Sequence, residues 1–380
     1  MRIFIASIGV RNFHFATTAW AVNLIHPLED LGHEVVVSDI DWESAMPFVE
    51  DAAWIRKNRP RLSQALWDEV RKAHHARPLD LFFSYLYSVH VEPGVVRQIR
   101  ALGIPTVNFY CNAAHQFHLV SEIAPAFDFC WVPEKQALSA YKEAGASPLH
   151  VQMGANPKFY RPLPHIQHSI DVAFAGSLYA DRAIVLSALI RRHVPLQIYT
   201  SARPALTGND DGRIPATLQR ARRIVDELVH GGFMQAARRT VRGFATQRAF
   251  RHLKPHICPP APNLVELFAK TRIVLNLSHV YDGGRPGGIL KAHVRLREFE
   301  APLCRALYAP QYCDELSEYY DLEREVICWR HPEECADKLG FYLSHPVEAE
   351  KIREAGYRRA LGEHTAHQRF QQLFRMMGLQ

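Results

Sequence analysis

A glycine-rich loop carries the pattern most suited to binding an anion. Residues 282–288 read DGGRPGG, and Gly287 and Gly288 end the run. Glycines let backbone N–H groups approach a ligand closely, and a following helix would add partial positive charge, so the loop suits a diphosphate. The polar residues beside it that could complete such a site are Asn276, Ser278, Lys291, Arg297 and Glu300. A carboxylate on that helix, Glu300, could accept hydrogen bonds from ribose hydroxyls. The alternative is a surface loop followed by a solvated basic helix.

A second candidate anion site follows the apolar segment 171–175. Gly176 and Ser177 come directly after it, and Arg182 follows shortly. Glycine permits close backbone approach to a phosphate, and a guanidinium group can bond two phosphate oxygens at once. The alternative is an ordinary turn after a strand.

Two histidines are candidate general bases because each lies in a loop that follows an apolar strand. His14 follows the first strand and is preferred, and His115 follows the segment VNFYC. Imidazole titrates near neutral pH, which suits proton abstraction from a hydroxyl, although an isolated loop histidine is more often a surface residue. The pairs His115/His118 and His165/His168 lack a third ligand at metal-site spacing, so no metal site is predicted.

The elements that must position these residues alternate between strand and helix. The first series of apolar strands is RIFIAS, EVVVSDI, DLFFSYL, PTVNFY and FDFCWV, and the second is DVAFAG, LQIYTS, RIVLNLS and EVICW. Helices are predicted between them, including 17–31, 263–270 with Asn263 as its cap, and about 294–306. This alternation predicts α/β architecture with two Rossmann-like, doubly wound parallel sheets, whose ligands bind at the carboxyl ends of the strands.

The positions of prolines and charges divide the chain. Proline and glycine breakers in 154–169 predict a boundary between domains at 1–155 and 156–363, with 364–380 as a final helix. Residues 207–255 interrupt the second domain, and their apolar positions fall on one helical face, which predicts an inserted helical hairpin. The net positive charge of the chain is concentrated there, because residues 212–254 hold ten Lys or Arg and two acids.

Composition excludes several classes of protein. The 380 residues are 48% hydrophobic and 22% charged, which is typical of a globular protein and not of a disordered or collagen-like one. No apolar run is long enough to span a bilayer, and the N-terminus lacks the features of a signal peptide, so a cytoplasmic protein is expected. The seven cysteines have no C-x-x-C spacing, which argues against both disulfides and structural zinc.

Several segments, in order, resemble the glycosyltransferases related to the spore-maturation protein CgeB. They are DVAFAGSLYADR, QMGANPKFYRP, LNLS, RLREFEAPLCRAL and the C-terminal segment that begins EECADKLGFYL. The resemblance implies a GT-B fold, with an N-terminal acceptor domain, a C-terminal nucleotide-sugar domain and a last helix that returns to the first domain. One departure is Cys304-Arg305-Ala306, where relatives have C-G-G.

The resemblance also implies roles for individual residues. Arg297 and Glu300 match the R-x-F-E signature, with Glu300 as the ribose ligand, and Asn276 matches the LN-x-S strand end. Gly176, Ser177 and Arg182 would line the donor side. Such enzymes use no metal and no cofactor, because backbone amides and basic side chains hold the diphosphate.

The predicted function is transfer of a sugar, hexosyltransferase-like, from a nucleoside diphosphate sugar to an acceptor hydroxyl. The acceptor is not determined and could be a glycan, a lipid-linked molecule, a protein or a small molecule. One alternative is a nucleotide-sugar epimerase or hydrolase on the same fold. Another is a non-catalytic protein that uses 207–255 to hold an anionic partner, where a peripheral membrane contact is favoured over nucleic acid.

Overall fold

The chain folds into two compact units that each contain a parallel β-sheet. The computed structural model describes residues 1–8, 19–45, 52–200, 233–282 and 288–379. The first unit comprises Met1–Phe159 together with Glu363–Gln380, and the second comprises Tyr160–Gly362. The helix predicted at the C-terminus therefore belongs to the first unit.

The first unit contains a six-stranded parallel sheet. Its strands are β1 (Arg2–Ser7), β2 (Glu34–Val37), β3 (Leu81–Tyr85), β4 (Thr106–Phe109), β5 (Phe129–Val132) and β6 (Pro148–His150). Its helices are α1 (His26–Asp30), α2 (Ala52–Ala76), α3 (Pro93–Ala101), α4 (Ala113–Gln116) and α5 (Leu138–Glu143), with α12 (Ala366–Met377) at the end of the chain. The strand order is β2-β1-β3-β4-β5-β6. Because helices cover both faces, β3 and β4 are buried along their whole length, which explains their continuous apolar sequence.

Helix α12 is fixed to this sheet by a capping box and by aromatic packing. Thr365 accepts a hydrogen bond from the backbone N–H of Gln368, whose side chain bonds back to the backbone of Thr365. The ring of Phe370 packs 5.9 Å from Phe83 and 5.3 Å from Trp131, centroid to centroid. A cap and a buried aromatic together set the start and the inward face of the helix.

The second unit contains a five-stranded parallel sheet and a small hairpin. The strands of the sheet are β7 (Ile170–Ala175), β8 (Leu196–Tyr199), β9 (Ile257–Cys258), β10 (Thr271–Asn276) and β13 (Leu307–Pro310). The antiparallel hairpin is formed by β11 (His279–Tyr281) and β12 (Leu290–Ala292). The helices are α6 (Arg182–Arg191), α7 (Phe233–Leu253), α8 (Leu264–Lys270), α9 (Arg297–Leu303), α10 (Pro332–Ser344) and α11 (Pro346–Glu363). The sheet order is β13-β10-β7-β8-β9.

Both sheets confirm the predicted Rossmann-like, doubly wound class. The apolar core of the second unit joins the strands to α6, α7, α10 and α11 through residues such as Phe174, Leu189 and Leu253. Asn263 caps α8 as predicted, because its side chain accepts hydrogen bonds from the backbone N–H groups of Val265 and Glu266. In the described residues no helix is both long and apolar enough to cross a membrane.

Three predicted elements differ from the structure. EVICW (325–329) does not form a regular strand. It lies beside the unpredicted β13, where the N–H groups of Ile327 and Trp329 donate to the carbonyl oxygens of Tyr308 and Pro310, but its pairing is limited to isolated bridges, such as that of Trp329 with Gln311. The helix expected at 294–306 spans only Arg297–Leu303. Of the predicted hairpin at 207–255, α7 is a helix, and residues 207–232 lie outside the described residues.

Arg305 occupies a backbone conformation that usually favours glycine. Its φ of 57° lies in the left-handed region, at the turn between α9 and β13. Its guanidinium group pairs with Glu350 and with Glu354, the latter at 2.9 Å. Ion pairs with α11 thus accompany the unfavourable backbone conformation.

The cysteines are free thiols. All seven lack a disulfide partner, and six of them are buried. Burial raises the pKa of the Cys130 thiol to about 12, so this side chain packs as a neutral apolar group.

Candidate functional site at the strand ends of the second unit

The order of the strands selects one edge of the second sheet as a ligand site. β7 pairs with β8 on one side and with β10 on the other, so the chain winds outward in both directions from β7. The loops that follow β7 and β10 therefore diverge, and a crevice opens at their carboxyl ends. The predicted residues Gly176, Ser177, Asn276 and Ser278 all lie at this edge.

Arg182 connects the two diverging loops. One terminal nitrogen donates a hydrogen bond to the carbonyl oxygen of Ser177 at 2.9 Å, and the other donates to that of Leu277 at 2.8 Å. The side chain is only 4% exposed, and burial lowers the pKa of its guanidinium to about 10. These two bonds fix the buried side chain between the loops, so Arg182 in this conformation positions them.

Gly176 leaves room for this arrangement. A Cβ atom at Gly176 would lie 3.3 Å from the ring of Phe174 and 3.4 Å from a terminal nitrogen of Arg182. The first contact is slightly tighter than ordinary van der Waals packing, and the second is at its lower limit. Glycine thus allows the guanidinium group to reach the carbonyl oxygen of Ser177.

A tyrosine lies between two arginines at the same edge. The guanidinium carbon of Arg182 is 3.9 Å from the ring centroid of Tyr179, and that of Arg295 is 5.4 Å from it. Arg295 also approaches the carbonyl oxygens of Ser278 and His279 at 3.4 and 3.5 Å. Within the described residues, the buried Nε atoms of both arginines meet no acceptor. The cluster is cationic and retains donor capacity, which suits an anionic ligand.

Polar side chains beyond the end of β10 form a hydrogen-bonded network. The imidazole Nδ1 of His279 lies 2.8 Å from a carboxylate oxygen of Asp181 and 3.3 Å from the side-chain amide of Gln311. The hydroxyl of Ser278 donates to the carbonyl oxygen of Gln311 at 2.9 Å, and Ser278 is fully buried. Ser278 therefore holds β10 against the end of β13 and does not face an open loop.

The amide of Asn276 meets Glu298, which the sequence interpretation passed over in favour of Glu300. Its Nδ2 donates to a carboxylate oxygen of Glu298 at 3.1 Å, and the backbone N–H of Arg295 donates to the other at 2.8 Å. Burial raises the pKa of Glu298 to about 7. The nearby charge of Arg295 and these hydrogen bonds lower the pKa, but burial has the larger effect. A buried carboxyl that titrates near neutrality is characteristic of functional sites.

Arg297 and Glu300 form an ion pair at the beginning of α9. Their side chains approach to 2.6 Å, and Glu300 is only 3% exposed. Tyr160 shares a hydrogen bond with Glu300, and the guanidinium carbon of Arg297 lies 5.3 Å from the ring centroid of Phe268. The two residues matched to R-x-F-E are thus in contact, and the carboxylate already has protein partners.

The glycine-rich loop 282–288 leads into a strand, which corrects the sequence interpretation. It joins β11 to β12, so the chain passes through a hairpin before α9 begins, and Lys291 lies on β12. The dipole of the helix therefore does not act directly on this loop. Lys291 pairs with Asp282 at 3.0 Å, and the carbonyl oxygen of Gly288 accepts a hydrogen bond from Arg242 at 3.1 Å. Gly287 lies outside the described residues.

The two candidate bases belong to the first unit. His14 lies outside the described residues. His115 lies on the short helix α4, which begins shortly after β4 ends. Three buried tyrosines lie at or just after the ends of β3 and β4. They are Tyr85, Tyr87 and Tyr110, and burial raises the pKa of each hydroxyl.

The second unit therefore brings some predicted residues together and adds others. Gly176, Ser177 and Arg182 form one contact group, and Arg297 and Glu300 form another. The contributions of Tyr179, Asp181, His279, Glu298 and Gln311 were not predicted. A sequence signal existed for Tyr179, Asp181 and Glu298, because they lie in the segments DVAFAGSLYADR and RLREFEAPLCRAL that carried the family resemblance.

Comparison with known proteins gives a family likeness and a fold. A family model described as "Glycosyl transferase-like" matches residues 217–375. No curated protein gives a significant sequence match. The likeness in sequence is therefore confined to the C-terminal part of the chain.

Several solved structures resemble this chain over nearly its whole length at low sequence identity. Sucrose-phosphate synthase from Thermosynechococcus elongatus has a TM-score of 0.59 and 14% identity, with 99% of each chain covered. HepE from Anabaena, in complex with UDP and glucose, has a TM-score of 0.58 and 12% identity, again with 99% of each chain covered. AviGT4, a glycosyltransferase involved in avilamycin A biosynthesis, has a TM-score of 0.52 and 11% identity, covering 98% of this chain and 96% of its own. The chain therefore has the GT-B fold, and residues 217–375 are similar in sequence to the glycosyl transferase-like family.

Proposed function

We propose that this protein transfers a sugar from a nucleoside diphosphate sugar to an acceptor hydroxyl. The observation that carries the proposal is the cationic cluster of Arg182, Tyr179 and Arg295 at the divergence of the loops after β7 and β10. The fold neighbour HepE supports it, because its structures contain UDP, UDP-glucose, or UDP with glucose. We further propose a CgeB-like, hexosyltransferase-like enzyme of the cytoplasm.

The donor would lie against the second unit. Arg295, Lys291 and Arg297 would neutralise the diphosphate, and the backbone at Gly176, Ser177 and the loop that ends at Gly288 would supply N–H donors. Glu300 and Asn276 would bind the nucleoside. Glu300 is held by Arg297 and Tyr160, so its carboxylate would be fixed in place before the ribose arrives.

The chemical step requires charge stabilisation on one side and proton removal on the other. The oxygen of the acceptor hydroxyl bonds to the anomeric carbon as the bond from that carbon to the diphosphate breaks, and the electron pair of that bond passes to the diphosphate. The cationic side chains stabilise the negative charge that develops there. The proton of the hydroxyl passes to a base of the first unit, for which His14 and His115 are the candidates. Because the proposed diphosphate ligands are cationic side chains, we propose that no metal and no cofactor is needed.

The proposal is tested by donor binding. Thermal unfolding is followed with UDP-, GDP-, dTDP- and CMP-sugars, because a ligand that binds only the folded state raises stability by mass action. One nucleotide sugar is expected to raise the melting temperature. Arg295→Gln should reduce that shift, whereas Arg192→Gln, at an exposed position at the end of α6, should preserve it. If no nucleotide sugar binds, or if Arg295→Gln leaves binding intact, the proposed donor site is wrong.

A further inference from the structure

The second unit exposes an apolar cluster that the proposed reaction does not use. Val241 and Phe244 on α7 are 69% and 67% exposed, and Ile289, just after the loop 283–288, is 74% exposed. The hydrogen bond from Arg242 on α7 to the carbonyl oxygen of Gly288 places Ile289 beside the helix. Two separate segments thus contribute large apolar side chains to one surface, which we call the α7 patch.

From Val241 to the end of α7, where side chains are described, the exposed face changes from apolar to cationic. The exposed positions of this part follow helical spacing and are Val241, Phe244, Ala245, Arg248, Arg251 and His252, with Lys254 just beyond. The opposite face is buried, because Ala249 and Leu253 pack into the core of the second unit. The helix contains no acidic residue, and Asp282 of the adjoining hairpin is paired with Lys291. Among the described residues, the α7 patch therefore combines exposed hydrocarbon with positive charge that no ion pair neutralises.

We propose that the α7 patch docks on the surface of a membrane that contains anionic lipids. The exposed side chains of Val241, Phe244 and Ile289 would enter the acyl boundary, and the neighbouring arginines would contact lipid phosphates. Residues of the hairpin deepen the contact, since Ile289 lies on the same surface. The interaction is peripheral, with the helix lying on the bilayer.

The apolar side chains favour a lipid surface over nucleic acid. A polyanion would be held by the arginines and stacked on Phe244, but it would gain nothing from the aliphatic side chains of Val241 and Ile289. A bilayer would interact favourably with Phe244, Val241 and Ile289 and also with the arginines, because burial of hydrocarbon and attraction to anionic headgroups both contribute to membrane binding. The patch therefore matches the chemistry of a lipid interface.

Vesicle binding tests the proposal. The full chain is incubated with phosphatidylcholine vesicles, either pure or mixed two to one with phosphatidylglycerol, and the bound fraction is measured by co-sedimentation. We expect binding to the anionic vesicles that weakens with salt. Phe244→Ser should reduce the affinity about ten-fold, and Arg248→Gln and Arg251→Gln about five-fold each. All three side chains are exposed, so the variants should keep the melting temperature of the wild type.

Matched controls isolate the α7 patch from general surface effects. Val347 on α11 is 68% exposed, so Val347→Ser is the counterpart of Val241→Ser. Arg324→Gln is the counterpart of Arg248→Gln, because the side chain of Arg324 is 83% exposed. Neither control should alter vesicle binding. Nucleotide affinity of the same variants is measured separately by calorimetry, so failure of membrane binding is distinguishable from failure of the proposed reaction.

Three outcomes would overturn the proposal. The first is no binding to anionic vesicles, or binding that Phe244→Ser and Val241→Ser do not weaken. The second is salt-sensitive binding to an RNA or DNA oligonucleotide that the arginine variants weaken, with no binding to vesicles. The third is self-association in analytical ultracentrifugation that Phe244→Ser abolishes, which would assign the patch to a second copy of the chain.

Discussion

Replacing Glu300 with alanine should have two separable effects, one on folding and one on nucleotide recognition. The side chain of Glu300 is 4% exposed and pairs with Arg297, which is 18% exposed. Removing one member of a buried pair leaves the other charge without its partner, which costs about 3 kcal/mol. For a unit of this size that cost lowers the melting temperature by about 6–12 °C.

The effect on recognition is measured by changing the ligand as well as the protein. If Glu300 accepts hydrogen bonds from the ribose, its loss should weaken nucleoside diphosphate binding by about 1–3 kcal/mol. The wild type should bind UDP, taken as the probe, more tightly than 2′-deoxy- or 3′-deoxy-UDP. Glu300→Ala should remove that preference, because the hydroxyl then has no carboxylate to meet. Isothermal calorimetry of both proteins with all three ligands gives the coupling energy between carboxylate and hydroxyl.

Tyr160→Phe is the matched control for an effect that is only structural. It removes the hydrogen bond to Glu300 while the carboxylate remains, so it should lower stability modestly and preserve the preference for ribose. The ribose assignment would be refuted if Glu300→Ala weakened UDP and both deoxy analogues equally. That result would mean that Glu300 serves only to position Arg297.

Three other outcomes are expected. Glu298 should make the protein less stable as pH rises, because its pKa is raised from 4.5 to about 7 and the folded state therefore keeps a proton that the unfolded state releases. The free energy of unfolding should fall by at most about 3 kcal/mol between pH 4.5 and 7. Urea unfolding of Glu298→Gln should not show this pH dependence. Gly356→Ala should destabilise the protein by about 2 kcal/mol or more, because the new Cβ would lie 2.3 Å from the carbonyl oxygen of Glu325. On the same helix, the Cβ of Gly362→Ala would meet nothing within 4 Å, so this variant should stabilise the protein by about 0.5–1 kcal/mol. Thermal melts measure both changes. Glycosyl transfer, once assayed, should persist in EDTA, and activity that depended on added Mn²⁺ or Mg²⁺ would contradict the proposed diphosphate contacts.

Local sequence determined most of the strands and helix ends. The apolar segment at 170–175 became β7, because a strand covered on both faces by helices needs continuous hydrocarbon. Asn263 capped α8, because its side chain can accept from N–H groups only two and three residues away. Such features depend on neighbours in the chain, and they are therefore readable without the fold.

Tertiary structure decided which side chains meet at the site. Arg182 joins carbonyl oxygens of Ser177 and Leu277, and the latter lies 95 residues away in the chain. Asn276 meets Glu298 and not Glu300, because α9 begins only after the hairpin β11–β12 and presents Glu298 toward β10. No local pattern encodes such pairings.

The edge of the second sheet shows the same limit. EVICW and Leu307–Pro310 both have the composition of a strand, yet only the second pairs along its length with β10. Propensity marks a segment as able to extend, but tertiary contacts decide its place, since EVICW lies against β13, where Ile327 and Trp329 donate to Tyr308 and Pro310. The sequence by itself thus determined the class of fold and the loops that could bind a ligand, whereas the strand order determined which charges lie together, because that order brings distant segments to one edge.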